Sequence, residues 1–132
     1  MFEKFSFTDQ QVKRFYLKAI RDFELAKGVK EVEIIFVFTY EAMLKVAIAV
    51  CAKNNLRVKA RRGHHIELLD KMAEILKDAD IGQISNGMRS KRNRGLYSAG
   101  DMVSRKEAEY YHRFVKQILK KADTYLFPNK LL

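Results

Sequence analysis

The stretch from Val29 to Lys53 constrains this chain most, because it is apolar almost throughout. It is long enough to span a membrane, but it contains Glu33, Glu41 and Lys45, and each of these charges is costly at the centre of a bilayer. Its β-branched part, residues 32–38, has a strand as an alternative. Because the apolar run continues without a break into helix-forming residues, we expect no membrane span but one long helix, buried on all sides.

Four amphipathic segments flank this stretch. A capping box at Thr8–Gln11 predicts the start of a first helix that Gly28 ends, and a second box at Ser104–Glu107 predicts the start of the last helix. Between them, apolar residues at three- and four-residue steps predict one helix from about His64 to Lys77. A shorter helix is expected from near Ser85 to Leu96 or Tyr97.

Short connections between such helices predict an all-α fold, an antiparallel four- to five-helix up-and-down bundle. The length of 132 residues fits one domain, 1–132, with one core. The single cysteine, Cys51, is expected to be a buried small hydrophobe. The few histidines show no metal-ligand spacing and the glycines form no phosphate loop, so we expect neither a metal nor a cofactor. No signal peptide is recognised, and the expected location is the cytoplasm.

Positive charge is the main indication of function. The formal net charge is +10, which favours an anionic partner. Two basic clusters supply candidate contacts for nucleic-acid or nucleotide phosphates. They are Arg57, Lys59, Arg61 and Arg62 in the loop Leu56–Gly63, and Arg89, Lys91, Arg92 and Arg94 near the end of the fourth helix.

The expected topology relates these two clusters. If the third and fourth helices run antiparallel, the start of the third and the end of the fourth lie at the same end of the bundle. Gly63-His64-His65 would then neighbour residues 92–97, and the clusters would form one focused positive surface. This pattern favours a polyanion site without sequence-specific base reading.

The segment Arg92-Asn93-Arg94-Gly95-Leu96-Tyr97 ends a penultimate helix and precedes a capped final helix. In that place it resembles the signature region of the HEPN superfamily (higher eukaryotes and prokaryotes nucleotide-binding). Tyr40-Glu41-Ala42-Met43-Leu44, leading through a basic loop to Gly63-His64-His65, is also similar to small prokaryotic members. The resemblance, over roughly residues 10–126, implies a helical bundle that is often a homodimer, with the two motif regions facing each other. Many relatives are metal-independent ribonucleases acting as toxins beside a nucleotidyltransferase partner, and others lack catalysis.

One position departs from the family motif, which opens with Arg and a polar residue and closes with His. Arg92 and Asn93 match the opening, but Tyr97 stands at the histidine position. RNA cleavage needs a group that exchanges a proton near neutral pH, which imidazole does and an unperturbed phenol does not. The catalytic candidates are therefore Arg92, Asn93 and Tyr97, with His64 or His65 as alternative sources of imidazole. In relatives paired with a nucleotidyltransferase, a tyrosine near the motif can be adenylylated, so Tyr97 is also a candidate acceptor.

Three hypotheses follow for function. The leading one is a HEPN-like homodimer that binds RNA or nucleotide phosphates and works with a nucleotidyltransferase partner in a toxin–antitoxin-type system. The second is a metal-independent endoribonuclease toxin, which we favour less because the motif histidine is missing. The third is a purely structural or interaction dimer, in which the apolar stretch and the Phe-rich start (Phe2, Phe5 and Phe7) serve assembly.

Overall fold

The computed structural model of the protein describes residues 2–60, 63–96 and 103–129, except for the side chains of residues 95 and 96. Over these ranges it is an all-α bundle with one small sheet, which confirms the predicted fold class. The helices are α1 (Asp9–Lys27), α2 (Val32–Lys53), α3 (His64–Ile75), α4 (Ala79–Leu96) and α5 (Arg105–Leu126). The strands are β1 (Phe2–Lys4) and β2 (Leu56–Val58).

Helix α2 forms the centre of the bundle, with buried side chains around its whole circumference and the ring of Tyr40 fully enclosed. Two of its charges reach partners on other helices. Lys45 pairs with Asp22 on α1, and Glu41 pairs with Arg92 on α4. By length and composition alone α2 is also apolar enough to cross a membrane, as the core helices of soluble proteins are.

The predicted caps set two of the helix starts. The side chains of Thr8 and Ser104 each accept a hydrogen bond of 3.1 Å, from the backbone N–H of Gln11 and of Glu107. The reciprocal side-chain bonds complete both capping boxes. The apolar stretch becomes helical at residue 32 and stays helical, so the strand alternative for residues 32–38 is wrong.

The predicted start of α4 near Ser85 is wrong, because α4 begins at Ala79. Lys77 adopts the left-handed conformation, with φ of 56°, and reverses the chain directly after α3. The Asp78 carboxylate then accepts a hydrogen bond of 3.1 Å from the N–H of Asp80 and caps the new helix. Residues 78–82, which lie between the two predicted helices, are therefore the cap and first turn of α4.

Helices α3 and α4 pack in antiparallel order, as predicted. Gly82 approaches Ala73 so closely that an added Cβ would lie 3.3 Å from the alanine Cβ, and glycine permits this contact. One turn further along α4, Asn86 donates from Nδ2 to Asp70 at 2.8 Å, one turn earlier in α3. Continuing in this direction, the C-terminal half of α4 meets the first turn of α3.

The small sheet was not predicted, since the sequence indicated only a loop from Leu56 to Gly63. In the structure β1 and β2 pair antiparallel, with Phe2 opposite Val58 and Glu3 opposite Arg57. A strand of three residues is too short to show a periodic pattern, and its pairing joins segments distant in sequence. The chain then returns along the bundle, so that α3 begins beside the first half of α2.

Candidate functional site

The best-connected polar cluster forms where α2, α3 and α4 meet, and Tyr40 lies at its base. The Tyr40 hydroxyl and Nδ1 of His65 are 3.2 Å apart, within hydrogen-bond distance. Burial is the main cause that raises the pKa of Tyr40 to about 12, with the nearby Arg92 and Arg89 opposing part of that rise. The phenol is therefore neutral, and its hydroxyl lies within hydrogen-bond distance of the His65 imidazole.

His65, in the first turn of α3, supplies an imidazole to this cluster. Burial lowers its pKa below the usual value, and repulsion from His64, Arg92 and Arg89 lowers it further. The imidazole is thus neutral near pH 7. In one tautomer Nδ1 accepts from Tyr40 and Nε2 carries the proton, and in the other Nδ1 donates and Nε2 is an acceptor.

Arg92 lies above the same tyrosine. Its guanidinium carbon is 5.3 Å from the centroid of the Tyr40 ring. The carboxylate of Glu41 is 3.9 Å from its Nη2, beyond hydrogen-bonding distance, and the Arg92 side chain is 27% exposed. Arg92 therefore lies at the border between core and solvent, and among the described residues its counter-charge is the carboxylate of Glu41 at 3.9 Å.

Arg89 lies one turn before Arg92 and contributes positive potential to the same two side chains, Tyr40 and His65. Its Nε is enclosed and has no hydrogen-bond partner within the described part of the chain, and the same is true of the neighbouring Asn86 Oδ1. An enclosed donor of this kind is energetically unfavourable until an acceptor or a water reaches it.

The two remaining basic residues of this cluster point to a different helix. Lys91 pairs with Glu107 on α5 at 2.7 Å, and its hydrogen bond is the main cause that lowers the pKa of Glu107. Lys91 and Arg94 together oppose the rise that burial causes in the pKa of Tyr111. The predicted cluster therefore divides into two pairs. Arg89 and Arg92 act on Tyr40 and His65 of α2 and α3, whereas Lys91 and Arg94 act on side chains of α5.

The other predicted phosphate contacts and catalytic candidates lie at several positions. Arg57 binds Glu3 at 2.6 Å, and Lys59 is exposed after β2. Asn93 is exposed on α4, and the His64 ring stands edge-on to that of His65, with 4.4 Å between centroids. Arg61, Arg62 and Tyr97 lie outside the described residues.

The predicted neighbourhood of His65 and Arg92 is confirmed, since both contact Tyr40, but no functional role was predicted for Tyr40 or Glu41. Both lie in the segment that carries the family resemblance, and Glu41 offered a recognisable signal. A carboxylate within an apolar helix requires a partner or solvent, so a search for a basic partner would have pointed to α4.

Two further side chains, His112 and Cys51, have structural roles, and for Cys51 this confirms the predicted burial. His112 lies 3.3 Å from the Phe23 carbonyl through Nε2 and stacks on the Phe23 ring. Cys51 is buried, and burial raises the pKa of its thiol to about 12, which keeps it protonated and unreactive. No group of three or more metal-binding side chains occurs among the residues that the structure describes.

Comparisons of this chain with protein-family profiles, with curated proteins and with solved structures found no match. The resemblance to the HEPN superfamily therefore stands on the residues quoted above, and the chemistry of the site on its own geometry.

Proposed function

We propose that this protein binds RNA or nucleotide phosphates through Arg92, assisted by Arg89 and by the neutral His65. The observation that carries the proposal is the state of the Arg92 guanidinium, which is partly exposed above a buried ring and lies 3.9 Å from Glu41. Within the described residues the Arg92 guanidinium has no hydrogen-bond partner, and such a group is suited to a phosphate, whose oxygens accept paired hydrogen bonds from its planar fork.

Lys91 provides the contrast on the same helix. It makes an ion pair of 2.7 Å with Glu107 and is already neutralised locally. A phosphate would have to compete with that carboxylate at Lys91, whereas at Arg92 it would meet a weaker competitor. Arg92 is for this reason the predicted centre of binding.

The test is the affinity for a short single-stranded RNA, measured by fluorescence anisotropy over a range of salt concentrations. Arg92→Ala should weaken binding about tenfold. It should also make the plot of log K against log salt less steep by about one, the change expected when one phosphate contact is lost. Arg21→Ala, an exposed site on α1, is the matched control and should change affinity by less than about twofold. Equal affinities for Arg92→Ala and Arg21→Ala would overturn the proposal.

A second candidate function is metal-independent RNA cleavage, favoured by the contacts that His65 and Arg92 both make with the Tyr40 side chain. A neutral imidazole next to a phosphate-binding guanidinium is the pair that general acid–base cleavage needs, and the tautomer with Nδ1 donating to Tyr40 leaves Nε2 as the base. RNA cleavage in EDTA should then be lost in His65→Gln and kept in His112→Gln, whose imidazole packs on α1. Intact RNA with the unaltered protein at every pH from about 5 to 8 would exclude this candidate.

The family resemblance extends the proposal to a cytoplasmic homodimer that works with a nucleotidyltransferase in a toxin–antitoxin-type system. Sizing chromatography of the protein alone, and of the protein co-expressed with the product of a neighbouring nucleotidyltransferase gene, tests both partners. A protein that is monomeric and forms no complex with the nucleotidyltransferase would contradict the homodimer and the partner. The phosphate site is tested independently by the RNA-binding measurement.

A further inference from the structure

The Phe-rich start and the basic loop, which are far apart in sequence, meet at the small sheet. The N–H of Phe5 donates to the Asn55 carbonyl at 3.0 Å, and the N–H of Phe7 donates to the Asn55 side chain at 3.2 Å. Asn55 itself adopts the left-handed conformation, with φ of 56°, and so turns the chain from α2 into β2. These bonds fix the aromatic residues beside the first basic side chain of the loop.

A cavity of about 420 Å³ opens beside this junction, a size typical of small-molecule sites. Three aromatic rings line it in sequence: Phe5 and Phe7 have centroids 4.7 Å apart, and Phe7 and Phe15 have centroids 5.8 Å apart. Gln11 also lines the cavity, and its Nε2 is not used in the α1 capping box, which takes only Oε1. The lining thus combines flat apolar surfaces with an amide.

Arg57 adds a planar cation to the same cavity. Its guanidinium carbon lies 4.1 Å from the centroid of the Phe5 ring, and Glu3 holds the group there through Nε at 2.8 Å and Nη2 at 2.6 Å. The Arg57 side chain remains 49% exposed. A guanidinium fixed over an aromatic ring and open to solvent offers a surface on which another flat ring can stack.

From this arrangement we infer that Phe5, Phe7 and Arg57 form a stacking site for an unpaired base of single-stranded RNA. Bases stack on aromatic rings and on guanidinium planes, and the backbone phosphates of the same strand are attracted by the exposed Lys59, whereas Arg57 contributes its plane. A purely apolar partner fits less well, because it would remove the charges of Arg57 and Glu3 from water. A duplex fits less well too, because its bases are already stacked within the helix.

This inference deepens the proposed function and rests on it for the class of ligand, but its residues are separate from Arg92. The two sites make different demands on RNA. The Arg92 site needs phosphate, whereas the stacking site needs a base.

The experiment compares two fluorescent single strands of the same length and charge, one intact RNA and one abasic, by anisotropy. The unaltered protein should bind the intact strand about tenfold more tightly than the abasic strand. Phe5→Leu and Arg57→Lys should each reduce that preference to about twofold or less, since leucine is not planar and lysine keeps the charge without the plane. Arg21→Lys is the matched control and should keep the full preference, and thermal unfolding checks that each variant is folded.

The outcomes separate the two proposals. Equal affinity of the unaltered protein for both strands, or an unchanged preference in folded Phe5→Leu and Arg57→Lys, overturns the stacking site and leaves the phosphate site standing. Weaker binding of both strands by Arg92→Ala, with the preference retained, supports both. If neither strand binds, both proposals fail. Displacement of the intact strand by free AMP at matching concentration would assign the cavity to a nucleotide and overturn its assignment to RNA.

Discussion

Arg92 and Arg57 are held in chemically similar ways at two different places in the molecule. Each guanidinium lies over an aromatic ring and beside a glutamate, at 5.3 Å and 3.9 Å for Arg92 and at 4.1 Å and 2.6 Å for Arg57. The difference lies in the rings beneath them. Tyr40 is fully buried in the central helix, whereas Phe5 is 38% exposed beside a three-residue strand.

This contrast indicates how one local arrangement serves two purposes. Over Tyr40, the arginine is positioned by the core and only loosely neutralised, so its charge is available to a ligand. Over Phe5, the arginine is tightly neutralised by Glu3 but presents its flat surface to solvent. The distance to the glutamate, 3.9 Å for Arg92 and 2.6 Å for Arg57, accounts for the difference in available charge, and the exposure of the Phe5 ring accounts for the accessible stacking surface.

The largest expected effect comes from removing the two rings. Tyr40→Ala should lower the free energy of unfolding by about 3–5 kcal/mol, because it leaves a cavity in a fully packed region. Phe5→Ala should lower it by about 1 kcal/mol or less, since solvent already reaches that ring. Urea denaturation followed by circular dichroism measures both, and losses of equal size would break the distinction between a buried and an exposed ring.

A smaller effect is expected from removing the Tyr40 hydroxyl alone. Tyr40→Phe should cost about 1 kcal/mol, because the hydrogen-bond contact with His65 is lost while the ring is kept. Tyr110→Phe, on an exposed ring of α5, is the matched control and should be nearly neutral. If the two variants unfold at the same urea concentration, the Tyr40–His65 contact contributes nothing to stability.

The smallest expected effect is a dependence of stability on pH, to which the buried Tyr40–His65 region contributes and the region around Phe5 does not. Burial lowers the folded-state pKa of His65, so the unfolded chain takes up a proton near pH ~6.5 that the folded protein does not. Stability should therefore be full above that pH and fall as pH decreases toward the lowered folded pKa. His112 contributes in the same direction, whereas the lowered pKa values of Asp78 and Glu107 act only in more acidic solution.

Denaturation at about pH 7.5 and 5.5 measures this dependence. His65→Gln should show a smaller fall in stability than the unaltered protein, and Phe5→Leu should show the same fall, because no histidine contacts Phe5 within the described residues. A fall of full size in His65→Gln would show that His65 titrates as it does in the unfolded chain.

Much of the fold was predictable because its signals are local or periodic. The apolar length of α2 predicted its burial, and the capping boxes at Thr8 and Ser104 predicted two helix starts. The approach of His65 to Arg92 followed from helix order alone, since antiparallel packing of α3 and α4 fixes which ends meet.

The features that were missed depend on contacts between segments distant in sequence. The sheet forms only because β1 finds β2, and Arg57 is neutralised only because that register places Glu3 opposite it. Four basic residues between 89 and 94 looked like one cluster, but helical geometry sends Arg89 and Arg92 to one side and Lys91 to another. The partner of each charged side chain depends on which helix packs against that side of α4.

The enclosure of α2 also has a consequence for synthesis of the chain. Part of its cover is α5, whose Tyr111 ring packs against Phe36 at 5.7 Å and whose Tyr125 bonds with Asn54. Since α5 follows α2 in the chain, the side of α2 that α5 covers stays open during synthesis until residues 54–126 have been added. A polypeptide cut short before Ser104 would leave the α5 side of that helix uncovered, and chaperones or a lipid bilayer would compete for this side in place of the missing α5.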